Sequence, residues 1–147
     1  MLAAALAGCG GGDEDELTRE ELVAQGDEIC KQGRQQFAEL QRDPPQSAAE
    51  SAELTRQLIE ITEAEIDDLN DLDAPEESQD ALADYLEARE QGLEILRRGL
   101  EAAEDEDAEA YAEAQAEIAR SQLDRARLAE RVGFDECSRP LSGEADR

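Results

Sequence analysis

Between about Glu76 and Ala103 the chain repeats apolar residues at alternating steps of four and three, the spacing of one face of an α-helix. One arginine, Arg89, interrupts this face. We expect its stem to pack against a neighbouring helix while its guanidinium reaches water, with ligand binding as the less favoured alternative. Because a stripe this long must be buried against other helices, it predicts a helical bundle. The face consists of Leu82, Leu86, Arg89, Leu93, Leu96, Leu100 and Ala103.

The rest of the chain predicts three more helices of similar length. Alanine, leucine, glutamate, glutamine and arginine dominate, and these residues favour helices, whereas long β-branched runs are absent. Thr18 and Glu21 have capping-box spacing, and prolines after the first and second apolar stripes end those helices. The fold class is therefore all-α, an antiparallel up-down-up-down four-helix bundle with a flexible N-terminal tether. The predicted helices run from Thr18 to about Arg42, from about Ser47 to Asp71, from about Glu76 to Ala103 and from about Ala108 to Val132.

Several glycines carry specific expectations. Gly26 and Gly33 each cost about 1 kcal/mol in a helix interior, and the usual gain is a close backbone approach. Gly26 with Asp27 is alternatively the point where the packed helix begins. Gly133 is placed to end the last helix in a left-handed conformation, after which Phe134 folds back onto the bundle.

We expect the core to be too well filled for a cavity of several hundred cubic ångströms.

The charge is strongly acidic, with forty acidic and fourteen basic side chains and a formal net charge of −26. Such a field repels nucleic acid and anionic lipid. The simplest interpretation is a solvated surface, and the alternative is attraction of divalent cations or a basic partner. Neither run of alternating acids, at residues 71–73 and 105–109, has the glycine and the final acid of an EF-hand loop. We therefore predict no metal site.

The sequence contains no histidine, which removes the usual machinery of several enzyme classes. Ser-His-Asp and Cys-His arrangements are impossible, and so is a di-iron bundle of the Glu-x-x-His type. The glycines at 10–12 follow no strand and precede acids, so they do not form a phosphate-binding loop. We predict no catalytic residue, no cofactor and no enzymatic activity.

The chain begins with a run of uncharged, apolar residues. This run is far shorter than the roughly 20 residues needed to span a bilayer. Leu6-Ala7-Gly8-Cys9 resembles the lipobox of bacterial lipoproteins, in which the cysteine is lipidated and becomes the first residue. The resemblance implies lipid on Cys9 and a location at the extracytoplasmic face of the bacterial cell membrane. No basic residue precedes the apolar run, which a start upstream of Met1 would explain.

Three cysteines leave one over in an exported protein. If Cys9 carries lipid, Cys30 and Cys137 are available as a disulfide pair. Metal binding by these two is the weaker alternative, because no C-x-x-C motif or histidine would complete a site. The pair also resembles a feature of small secreted or lipid-anchored helical domains of actinobacteria. In these domains an Ile-Cys near the start of the first helix occurs together with a Gly-Phe/Leu-x-x-Cys after the last helix. Here these are Ile29-Cys30 and the segment from Gly133 to Cys137, and the resemblance implies the fold but little about activity.

Together these features predict a removed signal-peptide end at 1–8, an acidic tether at 9–17, a bundle at 18–138 and a disordered tail at 139–147. The first functional hypothesis is a non-enzymatic, membrane-anchored lipoprotein of the cell envelope that acts as a protein-interaction or spacer module. The alternative is a lipoprotein that binds a small ligand or a divalent cation for transport or sensing. Expected partners are the membrane, through lipid on Cys9, and an envelope protein, with no nucleic acid and a monomeric state.

Overall fold

The computed structural model describes residues 16–139, which form four long helices and one short one. No strand occurs in this range, so the predicted all-α fold is confirmed. Each long helix begins and ends within about two residues of its expected position. The helices are α1 (Arg19–Leu40), α2 (Ala48–Asn70), α3 (Glu76–Glu104), α4 (Ala108–Val132) and α5 (Asp135–Ser138).

Local capping explains where the helices begin and end. The backbone N–H of Glu21 donates to Thr18 Oγ1 at 3.2 Å, and the Thr18 N–H donates to Glu21 Oε2 at 2.9 Å, forming the expected capping box. Asp107 accepts hydrogen bonds from two backbone amides at the start of α4. Gly133 ends α4 with φ 107°, the left-handed conformation predicted for it.

Consecutive long helices pack against each other, but α1 and α4 have little or no direct contact. The short helix α5 lies between them and packs against both. This arrangement arises because the chain reverses at Gly133 and returns along α1. The four-helix bundle is therefore closed at one end by α5 rather than by direct packing of its first helix against its last.

One end of the bundle is densely packed. Tyr85 and Phe134 are completely buried and meet edge to face, with ring centroids 5.9 Å apart. The burial of Phe134 confirms that the chain folds back onto the core after α4. We call this region the closed end and define it by its fully buried side chains, Leu22, Leu69, Tyr85, Val132 and Phe134.

Gly26 makes the position of Phe134 possible. A Cβ atom at Gly26 would lie 2.3 Å from Cε1 of the Phe134 ring, so only glycine leaves room there. The expected close approach therefore occurs, but the approaching group is a side chain and not a backbone. The alternative start of the first helix at Gly26 is wrong, because α1 begins at Arg19.

In the other half of the bundle, α1 and α4 are less well packed than α2 and α3. In α1 no residue after Gly33 is buried, and in α4 no residue between Ala114 and Ala129 is buried. The two helices farthest apart in sequence thus present half-buried faces to each other across a gap.

No helix within residues 16–139 is both long enough and apolar enough to cross a membrane. The predicted signal-peptide end at 1–8, the predicted lipidation site Cys9 and most of the predicted 9–17 tether lie outside the described residues. All but Arg139 of the predicted tail lies outside them too.

Candidate functional site: a groove between the first and last long helices

The gap between α1 and α4 forms a groove of about 560 Å³. Residues of α2 and α3 form its floor, and α5 forms one end. The expectation of a filled core is wrong here, because α5 separates α1 from α4 and no large side chain fills the space beyond it. The volume falls in the range of typical small-ligand sites.

One part of the groove is apolar. Its side chains come from all four long helices, and none of those from α1 and α4 is fully buried. Leu123, on the α4 rim, is 68% exposed and is the one large hydrophobic side chain so exposed in the described chain. These apolar side chains are Phe37, Leu58, Leu96, Ile118 and Leu123.

Charged side chains lie at the middle of the groove floor. Arg89 Nη2 of α3 donates to Glu65 Oε2 of α2 at 2.6 Å, and the two side chains are only 15% and 9% exposed. Gly33 of α1 makes room for the carboxylate, since a Cβ there would lie 2.8 Å from Glu65 Oε2. The expectation that the Arg89 guanidinium reaches water is wrong, because Glu65 provides a counter-charge inside the bundle.

A second arginine, Arg125 of α4, completes what we call the polar layer: Glu65, Arg89 and Arg125. It reaches across Gly92 of α3, where a Cβ would lie 2.7 Å from Arg125 Nη1. The same nitrogen donates to Ser121 Oγ at 2.7 Å. Burial, reinforced by repulsion from Arg89, lowers the pKa of Arg125.

Arg125 makes no ion pair with any residue in the described part of the chain. The other two arginines of residues 16–139 that lack one, Arg19 and Arg120, are exposed to solvent. Arg125 is therefore half-buried and has no carboxylate partner in this region, although the chain contains forty acidic residues.

Burial also affects the acidic groups of the floor. It raises the pKa of the Glu65 carboxyl, against the attraction of Arg89. Burial likewise raises the pKa of Tyr85, whose hydroxyl lies 3.8 Å from Cys30 Sγ. Both groups are therefore harder to ionise than they would be in water.

The two predicted partner cysteines meet at the α5 end of the groove. The Sγ atoms of Cys30 and Cys137 lie 2.01 Å apart, at disulfide-bonding distance, and their Cα atoms lie 5.1 Å apart. The Glu136 N–H donates to Asp27 Oδ1 at 2.8 Å, and the Glu136 carboxylate pairs with Arg34. These three links hold α5 against the middle of α1, so the end wall of the groove is fixed in position.

The charge of the groove is opposite to that of the whole protein. Four arginines and two glutamates line it, whereas the chain carries a net charge of −26. The four are Arg34, Arg89, Arg125 and Arg139, and the two are Glu65 and Glu136. Chemically, the arrangement can bind a negatively charged group at the floor and an apolar group beside it.

Within residues 16–139 no three or more acidic or cysteine side chains are grouped so that they could hold a metal ion. No known family, curated protein or solved structure matches this chain.

Sequence reasoning singled out Arg89 and the two cysteines but missed Glu65 and Arg125. A signal for both was present. Glu65 continues the spacing Leu58, Thr62, Glu65, Leu69 along α2. Arg125 stands midway between Ile118 and Val132, seven residues from each. A charged residue in an apolar stripe on three successive helices indicates a shared buried layer.

Proposed function

We propose that the protein is a lipid-anchored, non-enzymatic domain of the bacterial cell envelope that binds a small ligand in the groove between α1 and α4. The observation that carries this proposal is the groove itself, with an apolar part and convergent charged side chains on its floor. This favours the small-ligand alternative over the protein-interaction or spacer hypothesis.

Three features support the anchor and the compartment. Leu6-Ala7-Gly8-Cys9 resembles a lipobox, and the composition changes abruptly after it. The pairing of Cys30 with Cys137 leaves Cys9 as the third cysteine. A disulfide joining α1 to α5 suits an oxidising compartment outside the cytoplasm.

Binding fits the groove better than catalysis does. Histidine is absent from the chain, and the floor carboxylate of Glu65 is held by Arg89. A general acid must donate a proton to the substrate and a general base must accept one, and an arginine, which stays protonated near neutral pH, is poorly suited to either role.

The anchor is tested by expressing the chain with its own upstream sequence in a bacterium and analysing the mature N-terminus by mass spectrometry. We expect a diacylglyceryl-modified Cys9, and Cys9→Ser should move the protein out of the membrane fraction. Cys30→Ser is the control and should remain in that fraction. An unmodified Met1 on a membrane-free protein would refute the anchor.

The binding site is tested with N-phenylnaphthylamine, a neutral apolar fluorophore whose emission rises in apolar surroundings. We expect saturable binding with one site per chain. Ala119→Trp places a large side chain in the groove from α4 and should abolish binding, whereas Ala116→Trp, on the exposed side of the same helix, should not. Absence of binding, or equal binding by both variants, would contradict the proposal and favour an interaction or spacer role.

A further inference from the structure

We infer that the ligand of the groove is an organic monocarboxylate with an apolar body, its carboxylate bound by Arg125 and Arg89 of the polar layer. This rests on the proposed function, since it names the chemical class of the ligand for the same site.

The polar layer lacks a counter-charge for one of its arginines. The polar layer holds two guanidinium groups and one carboxylate, and that carboxylate is bonded to Arg89. Arg125 has none within residues 16–139, although burying a charge is costly unless it is paired. The buried Nε of Arg89 also has no hydrogen-bond partner in this range. A single negative charge from outside would balance the layer.

The geometry of the guanidinium group indicates which kind of anion it binds. A guanidinium presents a planar fork of N–H donors that matches a carboxylate. One carboxylate neutralises the excess positive charge of the layer, whereas a doubly charged phosphate would leave a buried excess of negative charge. The charge of the polar layer therefore favours a singly charged head group, and the guanidinium fork suits a carboxylate.

A glycine of α3 lies beneath the Arg125 guanidinium. Gly92 lies inside α3, where glycine costs about 1 kcal/mol relative to alanine. A Cβ at this position would lie 2.7 Å from Arg125 Nη1, so the glycine permits this placement of the guanidinium. Gly33 does the same for the Glu65 carboxylate. Two helices thus accept glycine at mid-length where it accommodates a charged group facing the groove.

The apolar body has a defined place as well. Phe37, Leu96, Ile118 and Leu123 line the groove beside the polar layer, and Leu123 is exposed on its rim. A side chain so exposed gains by burial against an apolar ligand. The ligand is therefore amphipathic, with its head on the floor and its body between α1 and α4.

The acidic surface provides a stringent test of this inference. A protein of net charge −26 attracts cations and repels anions at long range. Non-specific binding would consequently favour a cationic amphiphile over an anionic one. A preference for the anion can only come from the local arginines.

The experiment displaces N-phenylnaphthylamine from the wild-type protein with decanoate, decanol and decyltrimethylammonium, which share one alkyl chain. We expect decanoate to displace the fluorophore at concentrations roughly tenfold or more below those of the other two, the value of one charge-assisted contact. If the fluorophore binds in the groove but decanoate competes no better than decanol, the inference fails while the proposed function stands. If no probe binds, both fail.

Variants then test whether Arg125 binds the carboxylate of the ligand. Arg125→Gln should weaken decanoate roughly tenfold or more and leave decanol unchanged. Arg125→Lys, which keeps the charge but loses the fork, should be intermediate. Arg127→Gln removes the same charge from an exposed position of the same helix and should change neither. Equal effects of Arg125→Gln and Arg127→Gln would overturn the assignment, and circular dichroism checks that each variant is folded.

Discussion

The closed end and the groove are built from the same four helices, yet one is packed and the other is open. At the closed end Phe134 fills the space between α1 and the other helices, in the room left by Gly26. At the groove Gly33 and Gly92 leave room for charged side chains instead. Glycine in this bundle therefore accommodates an aromatic ring at one end and charged side chains in the middle. The packed region and the proposed binding groove therefore occupy largely different parts of the same helices, and Tyr85 borders both.

The largest expected effect is the loss of stability when the disulfide that joins the two regions is removed. Replacing both Cys30 and Cys137 by serine opens a covalent loop with a sequence separation of 107. In the chain-entropy model such a loop contributes about 4–5 kcal/mol to the free energy of unfolding. Denaturant unfolding measures this loss, and Cys9→Ser is the control without the loss. Because α5 forms the end of the groove, affinity for N-phenylnaphthylamine should fall as well. An unchanged midpoint would show that the cysteine pair does not stabilise the fold.

The next effect separates the two regions directly. Phe134→Ala removes a fully buried ring from the closed end and should cost roughly 3–5 kcal/mol. Leu123→Ala removes a 68% exposed side chain from the groove rim and should change stability by less than about 0.5 kcal/mol. Thermal and denaturant unfolding provide both values. Similar losses for the two variants would contradict the distinction between a packed end and an open groove.

A smaller effect tests the role of the glycines. Gly26→Ala places a Cβ 2.3 Å from a carbon of the buried Phe134 ring and should destabilise by about 1–3 kcal/mol. At Gly99 the added Cβ would meet the Ala114 Cβ at 3.4 Å, an ordinary contact. Gly99→Ala should therefore stabilise α3 by up to about 1 kcal/mol. Opposite signs in unfolding experiments support the interpretation, and a gain from Gly26→Ala would contradict it.

The smallest effect is a difference in pH dependence between two glutamates. Hydrogen bonds from Thr18 lower the pKa of Glu21 in the folded protein, while burial raises the pKa of Glu65. Glu21 therefore stabilises the fold above its unfolded pKa, near 4.5, and this contribution disappears as the pH falls through the folded value. The contribution of Glu65 is present below the unfolded pKa and is lost as the pH rises through its folded value.

Two glutamine variants measure these opposite slopes. The stability cost of Glu21→Gln should grow with rising pH, because the variant keeps the capping box but not the charge. The cost of Glu65→Gln should shrink over the same range. Unfolding free energies at a series of pH values, each compared with the unmodified protein, cancel the contribution of the other acids. A cost of Glu65→Gln that grew with pH would mean that the attraction of Arg89 exceeds the penalty of burial.

The sequence alone predicts the helices correctly but does not predict the groove. Heptad spacing, the Thr18 capping box and the left-handed Gly133 depend on residues close together in the chain, so they were predicted correctly. The groove depends on how far α5 separates α1 from α4, and no local pattern encodes that distance. Arg89 stands out in the sequence because it interrupts an apolar face, but its burial depends on a counter-charge from α2. A single helix viewed alone therefore predicted exposure where the assembled bundle provides a partner.

The contrast between an acidic exterior and a cationic groove has a consequence for selectivity and rate. An approaching anion meets repulsion from the body of the protein before it reaches the arginines, and salt screens that repulsion beyond about 8 Å at physiological ionic strength. An inorganic anion such as chloride has no apolar surface to bury and gains little in return for crossing this barrier. An amphipathic carboxylate gains from its apolar body as well as its head. For the proposed ligand, the net charge of −26 should disfavour competing small anions, and ligand entry should become faster as salt increases.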